Sequence, residues 1–210
     1  MSSSNIKDYN KLMGEFPILF RDRNKPMTQT CMCWGIECGI GWYEPIYNLC
    51  CKLESLNEFF FKNNGFIVKA DQVKEKYGCL TWYWSFDKAS PGEWTDADSE
   101  NWESPKYRHF RHACTSIVEH LISNAETDCF NTCEECGARI GFIWTPRYET
   151  VGWVKYICKD CYEKMKKDNP LLNAVFHFTE QELKEGKKYV SEEKYNELLK
   201  EIERQQKNLP

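Results

Sequence analysis

Apolar positions along the chain fall into two kinds of repeat, and each predicts an element. Ile46, Leu49, Cys50, Leu53, Leu56 and Phe60 recur at helical spacing after Pro45, a residue tolerated in a helix's first turn. They predict a core helix that ends at Asn63-Asn-Gly65. Phe110, Cys114, Ile117, Val118 and Leu121 predict a second core helix over residues 107–126. Between the two, the pattern changes to period two. Phe66, Val68 and Ala70 alternate with Ile67 and Lys69, and Leu80, Trp82, Trp84 and Phe86 alternate with Thr81, Tyr83 and Ser85. That alternation predicts a β-hairpin whose arms meet at Val73–Gly78, with Lys74, Glu75 and Lys76 at its polar end.

Flanking stretches are shorter. Residues 5–16 predict a helix stopped by Pro17, and Pro17–Phe20 anchors the chain to a core before a charged turn, Arg21–Pro26. Residues 31–43 carry Gly35, Gly39 and Gly41 among Trp34, Trp42, Cys31, Cys33 and Cys38. Such punctuation suits an ordered loop whose backbone bends sharply or approaches something closely. The C-x-C-x4-C spacing within it has no clear fourth metal ligand, so small buried thiols are the better account. It has no phosphate-binding lysine and is not a P-loop.

The strongest chemical pattern lies further on. Cys133 and Cys136, in T-C-E-E-C-G, are followed after 21 residues by Cys158 and Cys161, in I-C-K-D-C-Y. Two C-x2-C pairs supply four thiolates, the donor set zinc takes as a tetrahedron, and four filled positions describe a structural rather than a catalytic ion. Gly137 stands where a knuckle needs positive φ. Between the pairs, residues 140–145 and 151–157 predict a hairpin around a turn containing Pro146, and Lys159–Asp168 is helix-like. Knuckle, hairpin and helix start in that order resemble a treble-clef zinc finger. The helix start also favours the thiolates' negative charge.

Composition sets outer limits. The chain has 210 residues, 41% of them hydrophobic and 15% aromatic, enough for a core. No apolar leader segment precedes residue 9 and no stretch of about 18 apolar residues occurs, so neither a signal peptide nor a membrane span is expected. With twelve cysteines and no leader, a reducing cytoplasm is the expected compartment. A formal net charge of −4 argues against general nucleic-acid binding. The finger itself, residues 133–168, is barely basic, with seven Lys/Arg against six Asp/Glu.

Residues 87–104 form an acidic stretch, with six acids against Lys88. Asp96, Asp98 and Glu100 lack the full calcium-loop pattern, and a solvated surface loop is expected. His109, His112 and His120 have no carboxylate partner at helical spacing and are expected as surface or packing residues. After Pro170, Thr179–Glu182 reads as a capping box. Ser191 caps a last helix whose stripe of Tyr195, Leu198, Leu199 and Ile202 needs a partner, its own domain or a second subunit.

The fold class expected is α+β. A small antiparallel hairpin or sheet packs with helices in a body at 1–129, with residues 87–104 inserted. A zinc-binding finger spans 130–169, and a helical C-terminal extension covers 170–210.

These stretches together resemble a family of phage and prophage proteins. The pattern is Phe16-Pro-x-Leu-Phe20 with Arg21 and Arg23, Gly35-Ile-Glu-Cys-Gly-x-Gly-Trp-Tyr43, Gln72-Val-Lys-Glu-Lys-Tyr-Gly-x-Leu80, the knuckle at 132–137, Gly152-Trp-Val, and Cys158-x-x-Cys161. It covers roughly residues 16–161. In many relatives the last ligand is His, so Cys161 departs from the pattern within zinc chemistry. The acidic stretch and the tail from 170 are additions to it. The resemblance implies a host-cytosol phage protein but brings no activity.

It does draw attention to polar motif residues that burial does not require. Glu37, Trp42, Lys74 and Lys76, with Arg21 and Arg23, become candidate ligand-binding residues, or else members of an internal ion-pair lock. Three functions follow. A non-enzymatic accessory protein would bind a host protein or a small anionic ligand such as a nucleotide, for example in counter-defence. Its arginines and lysines would meet charge, and Trp34, Trp42, Trp82 or Tyr83 would stack. A nucleic-acid-binding zinc protein is the second. The third is an enzyme using Glu37 or Glu75 as acid/base and Cys38 as nucleophile, although no triad or deaminase motif is present.

Overall fold

The structure, a computed structural model, describes residues 7–89, 102–141, 147–152, 154–172, 174–177, 187, 191–193, 195–197 and 199–200; the side chains of Lys106, Val175, Phe176 and His177 are left out of account. The architecture is mixed, with helices and two small three-stranded sheets. The chain separates into two compact units. The first comprises Met1–Cys38, Tyr43–Lys76 and Leu80–Asp128, and the second Gly39–Trp42, Tyr77–Cys79 and Cys129–Pro210.

In the first unit, helix α1 (Tyr9–Glu15) starts at Asp8, whose Oδ1 accepts the Asn10 amide at 2.8 Å. It buries Leu12 and Met13. Beyond it the anchor segment is held by one carboxylate: Glu54 accepts the amides of Ile18 (2.9 Å) and Leu19 (2.8 Å). Burial pushes the Glu54 carboxyl above its usual range, and those two amides pull the other way.

Helix α2 (Tyr43–Leu56) buries the expected stripe of Ile46, Leu49, Cys50 and Leu53. It does not continue regularly to Asn63. A π turn spans Asn57–Phe61, and the extra residue moves the buried aromatic from Phe60, 40% exposed, to Phe61, fully buried. The turn also brings Asn57 inside, where its side chain accepts the Val68 amide (2.7 Å) and donates to the Val68 carbonyl (2.8 Å).

The first sheet has the order β1-β2-β3. Strands β2 (Phe66–Lys76) and β3 (Cys79–Lys88) are the predicted hairpin, but β2 runs on through Lys74, Glu75 and Lys76. The reversal is the two residues Tyr77 and Gly78, both at positive φ (53° and 77°), the signature of a type I′ turn. Strand β1 (Ile36–Glu37) lies parallel to β2, pairing Ile36 with Val73 and Glu37 with Lys74, so the sheet is mixed.

Helix α3 (Arg108–Phe130) buries Cys114, Val118, Ile122, Ala125 and Cys129. Ile117, expected inward, is 44% exposed. Near its start, Phe110 joins Phe61, Phe66, Phe86 and Trp102 in a network of ring contacts. The loop after β3 begins later than expected, because Asp87 and Lys88 are strand residues. Asp96, Asp98 and Glu100 lie outside the described residues.

The second unit contains sheet β5-β4-β6: β4 (Arg147–Thr150), β5 (Tyr156–Ile157) and β6 (Ala174–His177), antiparallel throughout. This corrects two expectations. Residues 147–150, taken as part of a turn, are the central strand, and the tail after Pro170 opens with a strand paired to it. Both follow from pairing between residues 24 to 30 apart in sequence, which local propensity does not register. Helix α4 (Lys159–Asp168) has Asp160 in its first turn and Lys166 and Lys167 in its last, as its dipole favours. The core here is Cys133, Ile140, Tyr148 and Ile157, with Tyr162 and Met165 packed on it. Further along, Tyr195 donates its amide to the Ser191 carbonyl, while Leu198, Ile202 and the capping box lie outside the described residues.

Candidate metal centre

The knuckle is built by backbone hydrogen bonds. Cys133 N–H donates to the Ala138 carbonyl at 2.7 Å, and Gly137 N–H to the Cys133 carbonyl at 2.9 Å. Gly137 has φ 81°, as the turn requires. Thr132 and Arg139 bridge the base of the loop. The second pair sits at a helix start: Cys158 precedes α4 and Cys161 lies in its first turn, with Tyr162 N–H donating to the Cys158 carbonyl at 3.0 Å. Strand β5 leads into the second pair, and the Glu134 amide donates to its Tyr156 carbonyl at 3.1 Å.

This brings Cys133, Cys136, Cys158 and Cys161 together, their four sulfurs within 4.8 Å of one another. Cys136 Sγ and Cys158 Sγ are 3.7 Å apart. A tetrahedron of thiolates around an ion at about 2.3 Å has sulfurs about 3.8 Å apart, so the set can hold a metal ion. All four are free cysteines.

Burial pushes the Cys133 thiol up to about 11. Burial and then the neighbouring Cys133 push Cys161 up further. For Cys136 burial also raises, but the Ala138 amide and the neighbouring thiols bring the net value below the ordinary one. Loading such a site with a cation displaces protons.

Further contacts surround the knuckle. The loop Gly39–Trp42 packs directly on it: Gly41 N–H donates to the Glu134 carbonyl at 2.8 Å, and Gly39 N–H to Glu134 Oε1 at 3.2 Å. A Cβ on Gly41 would lie 2.1 Å from the Cys133 carbonyl oxygen. The close approach inferred from the glycine spacing is therefore an approach to the Cys133–Gly137 knuckle. Glu134, 2% exposed, is 3.6 Å from Lys155 Nζ, which also meets Glu135 at 2.5 Å. Arg147, 2% exposed, stacks 3.8 Å over the Phe130 ring and donates to the Phe130 carbonyl. No motif reading singled out Arg147, and Glu134 stood in the Thr132-Cys-Glu-x-Cys-Gly137 pattern without a role. Their role emerges only from burial.

The six candidate ligand-binding residues do not assemble into one pocket. Trp42 is fully buried, and its Nε1 donates to the Thr132 carbonyl at 3.0 Å, leaving no ring face for a ligand. Arg21 is half-buried and engaged within the protein, donating to the Lys88 carbonyl (2.8 Å) and pairing with Asp87 (3.4 Å). It thus sits at one end of β3, whereas Lys76 adjoins the turn at the other, roughly 30 Å away for nine residues of strand. Glu37 is exposed on β1, and Lys74, its register partner, is half-buried with Nζ 5.6 Å from the Tyr83 ring centre. Arg23 lines a cavity. His109, His112 and His120 are exposed.

No protein-family model, curated protein or solved structure matches the chain. Fold and site define its class: an α+β protein with a four-cysteine cluster that can hold a metal ion. No helix among the described residues is long and apolar enough to cross a membrane.

Proposed function

We propose that this is a non-enzymatic binding protein whose second unit is a treble-clef-like finger held by a structural zinc ion. The resemblance to phage proteins supports an accessory role in the host cytosol, directed at a host protein or a small anionic ligand. The observation that carries the zinc reading is the closed donor set. Four cysteine sulfurs lie within 4.8 Å of one another, and on a bound ion such a set would fill the four positions of a tetrahedron. The surrounding contacts of Gly39, Gly41 and Trp42 give the ion a structural task, because the loop they form is packed on the knuckle the ion would hold.

Elemental analysis of the purified protein should give one zinc per chain. The cobalt-substituted protein should show the absorption of a tetrahedral tetrathiolate centre, unchanged by added cyanide or azide. Absence of stoichiometric metal removes the zinc reading. A cobalt spectrum that shifts with those anions reveals an open coordination position and transfers the site to catalysis.

A further inference from the structure

In the first unit Arg23 opens onto a cavity of about 360 Å³, lined by Asn10, Met13, Asn24, Met32, Cys33, Trp34 and Gly35. That volume lies within the range of small-ligand sites. Arg23 is half-buried, and among the described residues no carboxylate pairs with it. The adjacent acid is already taken, since Asp22 faces Lys25 at 2.8 Å and Lys69 at 2.7 Å. A guanidinium removed from water without a counter-charge is unfavourable, and its planar fork fits a phosphate or carboxylate.

The rest of the lining has a matching character. Trp34 is 55% exposed, a large indole left half open to solvent at the cavity. Met13 and Met32 are buried, polarisable side chains suited to the face or edge of a ring. Asn10 and Asn24 add amides able both to donate and to accept.

We infer that this cavity is a binding site for a small anion carrying a flat ring. Arg23 receives its phosphate or carboxylate, Trp34 stacks on the ring, and a mononucleotide is the representative ligand. The inference rests on reading the chain as a binding protein, and it assigns that binding to residues of the first unit.

The test is calorimetric titration of the full chain, its metal content verified beforehand. The probes are adenosine 5′-monophosphate and indole-3-carboxylate, with adenosine and inorganic phosphate as the separate halves. At least one ring-bearing anion should bind about tenfold or more tightly than either half, and which one does so tells phosphate from carboxylate. Arg23→Ala should weaken binding about tenfold or more, with Arg23→Lys between it and the parent. Trp34→Ala should weaken the ring-bearing probes and leave inorganic phosphate unaffected. Lys52→Ala removes an exposed charge from α2, outside the cavity lining, and should change nothing. No binding of either ring-bearing anion at millimolar concentration overturns the inference, as does equal loss in Arg23→Ala and Lys52→Ala. Either result leaves the zinc reading intact, because that reading is decided by metal content and the cobalt spectrum.

Discussion

The α-carbon of Gly41 is so close to Cys133 that a methyl group on it would lie 2.1 Å from the Cys133 carbonyl oxygen. Two further backbone atoms, the Glu134 carbonyl oxygen and the Gly137 nitrogen, would lie 2.6 Å from it. Backbone held in a knuckle cannot move aside as a flexible side chain can. Gly41→Ala should therefore cost about 3 kcal/mol or more, as overpacking does at its upper range. Gly65→Ala is the control, since Gly65 has φ 88° with nothing within 4 Å, and only the left-handed strain of about 1–2 kcal/mol applies. Denaturant unfolding of the two variants gives the comparison. Equal losses would mean that the approach to Cys133 carries no weight.

The last thiolate offers a test of the donor set. Histidine at position 161 is the conservative replacement, because imidazole is an ordinary zinc ligand. Cys161→His should retain one equivalent of metal, whereas Cys161→Ala should lose it and lower the melting temperature. Structural zinc contributes on the order of 10 kcal/mol in small fingers, so the second variant should leave its unit largely unfolded. Metal analysis and thermal melts read both. Full metal retention by Cys161→Ala would exclude Cys161 as a ligand.

What was legible in the sequence was local. Leu49 and Leu53 announce α2 because a buried helix face repeats every turn, and the four cysteines announce their cluster because C-x2-C matches the reach of one ion. The rest depended on contacts distant in sequence. Phe61 replaces Phe60 inside because one π turn breaks the 3.6 period. Strand β1 is two residues long and exists by pairing with Val73 and Lys74. Trp42 reads as a candidate stacking residue until its ring is seen buried and bonded to Thr132, 90 residues on. The glycines beside it did foretell a close approach, though not its partner.

Asn57 belongs to that same unforeseen turn and can be tested on its own. It is fully buried and holds both the amide and the carbonyl of Val68. Asn57→Ala leaves both backbone groups without their partner, which at about 1–3 kcal/mol for each such group gives an expected loss of about 2–6 kcal/mol. Asn57→Asp keeps the acceptor for the Val68 amide but cannot donate to the carbonyl while ionised, and should also destabilise. If both variants unfold at the parent's denaturant midpoint, Asn57 is not what ties the π turn to β2.

Asp22 makes stability depend on pH, and the sign can be worked out. Its carboxylate, 3% exposed, meets Lys25 and Lys69, and Lys69 also meets Asp71 at 3.2 Å. Burial alone raises the carboxyl, but the hydrogen bonds from Lys25 and Lys69 outweigh it and hold it below its usual range. Burial likewise lowers Lys69, and the hydrogen bond to Asp22 with the charges of Asp71 and Asp22 raises it overall. A depressed acid stabilises the fold above its unfolded value of about 3.9, and that contribution fades as pH falls through the folded value. The raised lysine contributes below its unfolded value of about 10.4, and its share fades only as pH rises beyond that. Between roughly pH 5 and 9, then, both contributions are present. Asp22→Asn should cost about 2–4 kcal/mol at pH 7, because it leaves Lys69 with less compensation in a partly buried setting. The gap between parent and variant should narrow on acidification towards pH 3, as the parent's own carboxylate takes up its proton. Denaturant midpoints of both proteins across that range make the measurement, and a gap that stays constant down to pH 3 would show that the ion pairs of Asp22 contribute nothing to the fold.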